Sequence, residues 1–254
     1  MKKISEETLQ CAWLAHLSGA SDQVIQLLAS DNVLAQTHDE VEPAVLLGLA
    51  LHEVGRTLEA ADAIEKASLL GPIPDEARIT LASCYAQLRR IDLARELYLE
   101  LALSRRLEAD LMLKVAAGLA AIDSPQLAMK VCEWITEKDD SVGQAYYDMG
   151  VYSARCGNAL YISEALTRRA LQLDTGNFHY RVGLAALLIQ LQRDGEALEI
   201  ALTFTVDQLQ HATCFSCLQR IADLLNRHQH TDLAVACQAQ SDVLRAKRDT
   251  NPIH

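Results

Sequence analysis

The sequence predicts an all-α fold, a solenoid of about seven helical hairpins stacked along the chain. Three observations predict it. Small residues recur at Gly48, Ala82, Ala116, Gly150, Ala185 and Ala222, separated by 34, 34, 34, 35 and 37 residues. A second series follows at Ala60, Ala94, Ala128, Ser163, Ala197 and Ala234, separated by 34, 34, 35, 34 and 37 residues. Self-similarity at such a period marks stacked supersecondary units, and a small residue in each of two successive helices lets their backbones approach. The third observation is composition: hydrophobic residues make up 50% but aromatics only 5%, with 5 prolines in 254 residues. Ala and Leu dominate, which suits closely packed helices.

Taken in order, the chain opens with a degenerate pair over residues 1–40. It is aligned through Ala12, with Gly19 at the turn and Val24 and Leu28 in the second helix. The segment DNVLAQTHDEVEP reads as a longer connection. Five repeats then occupy residues 41–211. Leu47, Leu51 and Val54 share one helical face, as do Leu81, Tyr85 and Leu88. Turns are expected at Gly55, at Arg89–Arg90, at Gly157–Asn158 and at Gly195. Pro72, Pro74 and Pro125 fall where helices should end or begin. Asp92, Ser124 and Asp232 each precede an apolar run and are read as helix caps. HATCFSC adds about three residues to the period before a last pair over 212–254. That pair is expected to act as a cap, its final helix polar on the outside through Gln238, Gln240, Ser241, Arg245 and Lys247.

Leu47-Gly48, Gly55, Ala60, Ile64, Ala67 and Pro72 in one unit, and Leu81-Ala82, Tyr85, Ala94 and Tyr98 in the next, resemble the tetratricopeptide repeat (TPR). Met149-Gly150, Gly157 and Ala170-Leu171-Gln172-Leu173-Asp174 are similar to it again. The resemblance spans roughly residues 5–248 and implies a right-handed superhelix whose first helices line a concave groove. The groove residues it implies are Leu9, Trp13, Val45, Leu49, Ile79, Leu113, Ala117, Tyr147, Val151, Val182 and Ile189. They form an apolar stripe that is expected to stay uncovered until a partner buries it. The best-known groove chemistry of the family, a Lys/Arg/Asn clamp on a peptide carboxylate, finds only Arg155 and the isolated Asn226–Arg227.

The formal net charge is −11, which disfavours a phosphate backbone as partner, because that affinity comes largely from Lys and Arg. Seven cysteines without a regular framework point to reduced thiols and a cytoplasmic setting. The N-terminus MKKISEETLQ has no apolar run behind its lysines, and no stretch approaches the roughly 18 apolar residues of a membrane span. His211, Cys214, Cys217, His228 and His230 invite a zinc reading. Cys217 and His228, at opposite ends of one helix, would lie roughly 16 Å apart, too far for a single ion. Cys214 and Cys217 are read as small core residues. His52 and Glu53 adjoin the groove without a third catalytic group. Trp134 sits where its helix usually faces outward, marking either a second interface, for instance for self-association, or a local shift that buries it.

The sequence therefore predicts a non-enzymatic scaffold or adaptor, without cofactor or metal. It would bind an apolar or amphipathic segment of a protein or peptide partner, and neither nucleic acid nor membrane. Alternatives are a cytosolic secretion chaperone like those for type III translocators, or an RNA-binding helical repeat.

Overall fold

The computed structural model describes residues 4–29 and 40–250, and these form fifteen α-helices and no strand. Most of the long connection expected across residues 31–43 lies outside the described residues. The chain divides into two compact units, Met1–Asp123 and Ser124–His254. Among the described residues, no helix is long and apolar enough to cross a membrane.

The first unit holds α1 (Glu6–Leu17), α2 (Ser21–Leu28), α3 (Val41–Glu53), α4 (Thr57–Leu70), α5 (Asp75–Gln87), α6 (Ile91–Leu103) and α7 (Ala109–Ala121). Helix α1 pairs with α2, α3 with α4 and α5 with α6, while α1, α3, α5 and α7 also pack successively on one another. The recurrent small residues are the reason for the pairing. A Cβ on Gly48 would overlap the Ile64 side chain and come within 3.3 Å of the Ala60 carbonyl. Only a bare backbone permits that crossing. Ala60, Ala82, Ala94 and Ala116 are all fully buried.

The second unit holds α8 (Pro125–Lys138), α9 (Gly143–Arg155), α10 (Leu160–Leu173), α11 (Phe178–Gln190) and α12 (Asp194–Ala201), then α13 (Val206–Leu209), α14 (Phe215–Arg227) and α15 (Thr231–Thr250). Here the pairs are α9 with α10, α11 with α12 and α14 with α15. A Cβ on Gly150 would approach the Ser163 carbonyl to 3.1 Å, so the two series of small residues again meet. Helix α12 stops after eight residues. Phe204 closes its end edge-on to Phe178 at 5.0 Å, and a Thr205–Gln208 capping box starts α13. This is the irregularity that HATCFSC adds to the period.

Each first helix of a pair ends the same way. The chain passes through left-handed φ at Gly19, Gly55, Arg89, Gly157, Gln192 and Gln229. The next N–H then reaches back five residues, as from Arg56 to the Leu51 carbonyl at 2.8 Å and from Arg193 to that of Leu188 at 2.9 Å. This is the Schellman closure, which satisfies carbonyls that the helix leaves open.

Four sequence expectations need correction. The turn expected at Gly195 is made by Gln192, and Gly195 lies inside α12. Asp92 and Asp232 lie within the first turns of α6 and α15 rather than ahead of them, where they still favour the helix dipole. Val54 follows α3 at its C-cap and is exposed, unlike buried Leu47 and Leu51. Ser241 does not face outward: it is fully buried and donates to the Phe215 carbonyl at 3.0 Å. Gln238 bonds to Gln219 at 2.8 Å, so part of the polar row on α15 holds α14 in place.

Candidate binding face

The residues expected to line a groove come from both units. In the first unit they divide by depth. Val45 and Ile79 are 5% and 7% exposed and belong to the core, because neighbouring helices cover that side of α3 and α5. Leu9 and Leu49 are half-buried and pack on the edge of the same core. Leu113 is also half-buried, whereas Ala117 is exposed. Trp13 is 36% exposed. Its indole N–H donates to Glu42 Oε1 at 2.7 Å and its ring meets His16 edge-on at 5.8 Å, so its pose is fixed.

Farther along this face, His52 Nε2 lies 3.1 Å from Ser83 Oγ. Burial lowers the His52 pKa despite the opposing charge of Glu53, which keeps the imidazole neutral at pH 7. Glu53 turns the other way and accepts from Ser21 Oγ. The two neighbours thus serve different partners and do not form a catalytic pair.

In the second unit Tyr147 is 7% and Val182 2% exposed. The expectation that they are left uncovered is corrected, as it is for Val45 and Ile79. Tyr147 stacks on Tyr180 at 5.0 Å and meets the tilted ring of His179 at 4.7 Å. Its hydroxyl fills the space that a Cβ on Gly183 would need. Tyr147 is therefore a floor rather than an anchor. Val151 of α9, 41% exposed, and half-buried Ile189 of α11 remain accessible. Trp134 is half-buried, adjoining the buried Val131–Ile135 side of α8.

Polar groups that sequence reasoning did not single out accompany this floor. Tyr180 donates to Gln144 Oε1 at 3.1 Å, and Gln144 Nε2 donates to Asp148 Oδ1 at 2.8 Å. Burial pushes the Asp148 carboxyl up to about 6, against the lowering effect of that bond. Burial likewise lowers the His179 pKa, and its Nδ1 lies 3.2 Å from Thr213 Oγ1. Cys214, read as a core residue, stands at the N-cap of α14, where its sulfur accepts from Cys217 N–H at 3.3 Å. Arg227, one of the few cations considered for a carboxylate clamp, is tied to Asp194 at 2.9 Å. No group of three or more His, Cys, Asp or Glu among the described residues is placed to hold a metal ion.

No protein-family model matches the sequence, and no curated protein matches it either. Solved structures do. A tetratricopeptide repeat protein from Parabacteroides merdae superposes with a TM-score of 0.66 at 12% identity, covering 94% of this chain and 92% of that one. Pseudomonas aeruginosa PilF gives 0.61 at 16% identity, covering 84% and 92%. YrrB, described as a TPR protein with an unusual peptide-binding site, gives 0.56 at 16% identity, covering 75% and 92%. Identities this low carry the fold alone. Together with the repeated small residues and the recurring helix closures, they establish that this chain is built on the tetratricopeptide-repeat fold.

Proposed function

We propose that the chain is a non-catalytic interaction scaffold or adaptor that takes up an apolar or amphipathic peptide segment on its first helices. The observation that carries this reading is Trp13. Its indole is tethered to Glu42 with about a third of its surface in water, while Leu9 lies one turn away and Leu49 borders the same core. A large ring held in one pose loses little entropy when a partner covers it, which is why such residues anchor interfaces. The peptide-binding site described for YrrB supports the same use of the fold. The divergence of His52 and Glu53 supports a role without catalysis. Seven unbridged cysteines support a cytoplasmic setting.

A peptide selected for binding from a random-sequence library tests the reading. Trp13→Ala and Leu49→Glu should each weaken that peptide about tenfold or more, or roughly 1.4 kcal/mol. Leu69→Glu, at a highly exposed position on α4, should leave it unchanged. Thermal melts establish that each variant is folded. Full affinity in a folded Trp13→Ala, Leu49→Glu double variant would move the binding site elsewhere.

A further inference from the structure

The arrangement at the head of α14 suggests a chemistry separate from peptide binding. Two cysteines three residues apart stand at the N-cap and in the first turn of a thirteen-residue helix. Their sulfurs are in direct contact, 2.6 Å apart. Cys214 occupies the N-cap, and its sulfur meets the Cys217 backbone N–H and the Ser216 hydroxyl, each at 3.3 Å. Cys217 sits deeper, in the first turn. Tyr147 on α9 lies within electrostatic reach of both sulfurs, and His179 on α11 feels the charge of Cys214. Arg220 faces Cys217, and Arg245 and Arg248 of α15 cover the ring of Phe215 between the two cysteines. Neither cysteine is fully buried.

Contact between two sulfurs separates this pair from the other cysteines. Cys84, Cys132 and Cys237 are buried singly, and burial raises all three thiols, Cys84 to about 12 and Cys237 to about 11. Such thiols are inert toward disulfides. At Cys214 the balance reverses. The Cys217 thiol, then the Ser216 hydroxyl and the backbone N–H groups of Cys217 and Ser216, hold its pKa well below the ordinary thiol range despite burial. The same interaction and burial push Cys217 up. One sulfur is thus the natural nucleophile, and the other holds its proton until it is needed.

We propose that Cys214 and Cys217 form a redox-active dithiol, oxidised reversibly to an intramolecular disulfide by a disulfide-bearing oxidant of the glutathione class, with Cys214 as the attacking sulfur. The Cys214 thiolate attacks one sulfur of the oxidant, forming a mixed disulfide and expelling the first thiolate. Cys217 then gives up its proton and attacks the Cys214 sulfur, releasing the second thiolate. Two electrons and two protons pass from the protein to the oxidant, which leaves as two thiols. A dithiol reductant runs the steps backwards.

The test uses the full chain with Cys11→Ser and Cys156→Ser, which removes the two other cysteines that are not fully buried. Oxidised glutathione is the probe, and peptide mapping by mass spectrometry is the readout. The expected product is a Cys214–Cys217 disulfide, lost again on adding dithiothreitol. Cys217→Ser should stop at a stable glutathione adduct on Cys214. Cys214→Ser should leave Cys217 about tenfold or more slower to react. A second measurement needs no substitution at the pair: alkylation of Cys214 by iodoacetamide should stay nearly level from pH 8 down to pH 6. An ordinary thiol loses about tenfold per pH unit below its own pKa. Absence of the disulfide while both thiols still alkylate overturns the proposal. Equal reactivity of the two single-cysteine variants, or a Cys214 alkylation rate that falls like an ordinary thiol's, overturns it too.

Discussion

Asp148 shows how much a single residue takes from its surroundings. Its carboxyl sits beside the Tyr147–Tyr180 stack, and burial raises its pKa to about 6 although Gln144 donates to it. An unfolded Asp titrates near 3.9, so from about pH 4 to about pH 6 the folded chain keeps a proton that the unfolded chain has released. Stability contributed by this site therefore falls as pH rises through that window and is level above it. The loss is on the order of 2 kcal/mol once partial access to solvent is allowed for. Asp148→Asn retains an oxygen to accept from Gln144 and removes the charge. Urea denaturation should find this variant about 1–2 kcal/mol more stable than the parent at pH 7.5, with little difference at pH 4. A parent–variant gap that is the same at both pH values would show that Asp148 is not the titrating group. Nothing in the sequence separates Asp148 from the other members of a total of 34 acidic residues. Its depth depends on Tyr180, which lies 32 positions away.

Among the elements, the same closure is built from very different residues. Gly19, Gly55 and Gly157 enter left-handed φ without cost, whereas Arg89, Gln192 and Gln229 carry a Cβ into it. That costs roughly 1 kcal/mol per side chain, partly offset by the restricted unfolded chain. Gln192 is exposed, and its backbone N–H already reaches the Ile189 carbonyl at 3.0 Å. Gln192→Gly should therefore raise the unfolding free energy by about 0.5–1 kcal/mol in chemical denaturation; a destabilised variant would contradict the strain assigned to that turn. The contrast also explains what was legible in advance. The two series of small residues could be read because a helix crossing admits nothing larger at Gly48 or Ala60. The turns could be read only where glycine makes them, and Gly195 misled because a glycine is also tolerated in the first turn of α12. The early end of α12 showed only as a spacing of 37 instead of 34 or 35, which does not say where the helix breaks. On the candidate face, the register implied by the resemblance marked Val45, Ile79, Tyr147 and Val182 as apolar and groove-lining. It could not tell a side covered by the next hairpin from one left in water. The accessible residues, Trp13 and Val151, differ from these only in how neighbouring helices pack.

For the molecule as a whole, the decisive property is that packing is local. The cluster that includes Ala12, Leu46, Ile64 and Leu81 draws only on the first unit, and the one that includes Val182, Leu218, Ile221 and Cys237 draws only on the second. Helices of a hairpin stack touch their own partner and the next repeat, so stability adds up from neighbouring terms instead of one shared core. Ile64 tests this, since it is fully buried and fills the space above Gly48. Ile64→Ala removes that filling and should cost about 2–4 kcal/mol, partly as transfer energy and partly as cavity. If the repeats are coupled only to their neighbours, amide hydrogen exchange should accelerate across α3 and α4. Protection in α14 and α15, which belong to the second unit, should be unchanged. A loss of protection equal in all helices would instead mean that the chain opens as one cooperative body. The distinction bears directly on binding. In a locally coupled array, a peptide seated near Trp13 stabilises the helices it touches and leaves the dithiol at the head of α14 to respond to its oxidant on its own.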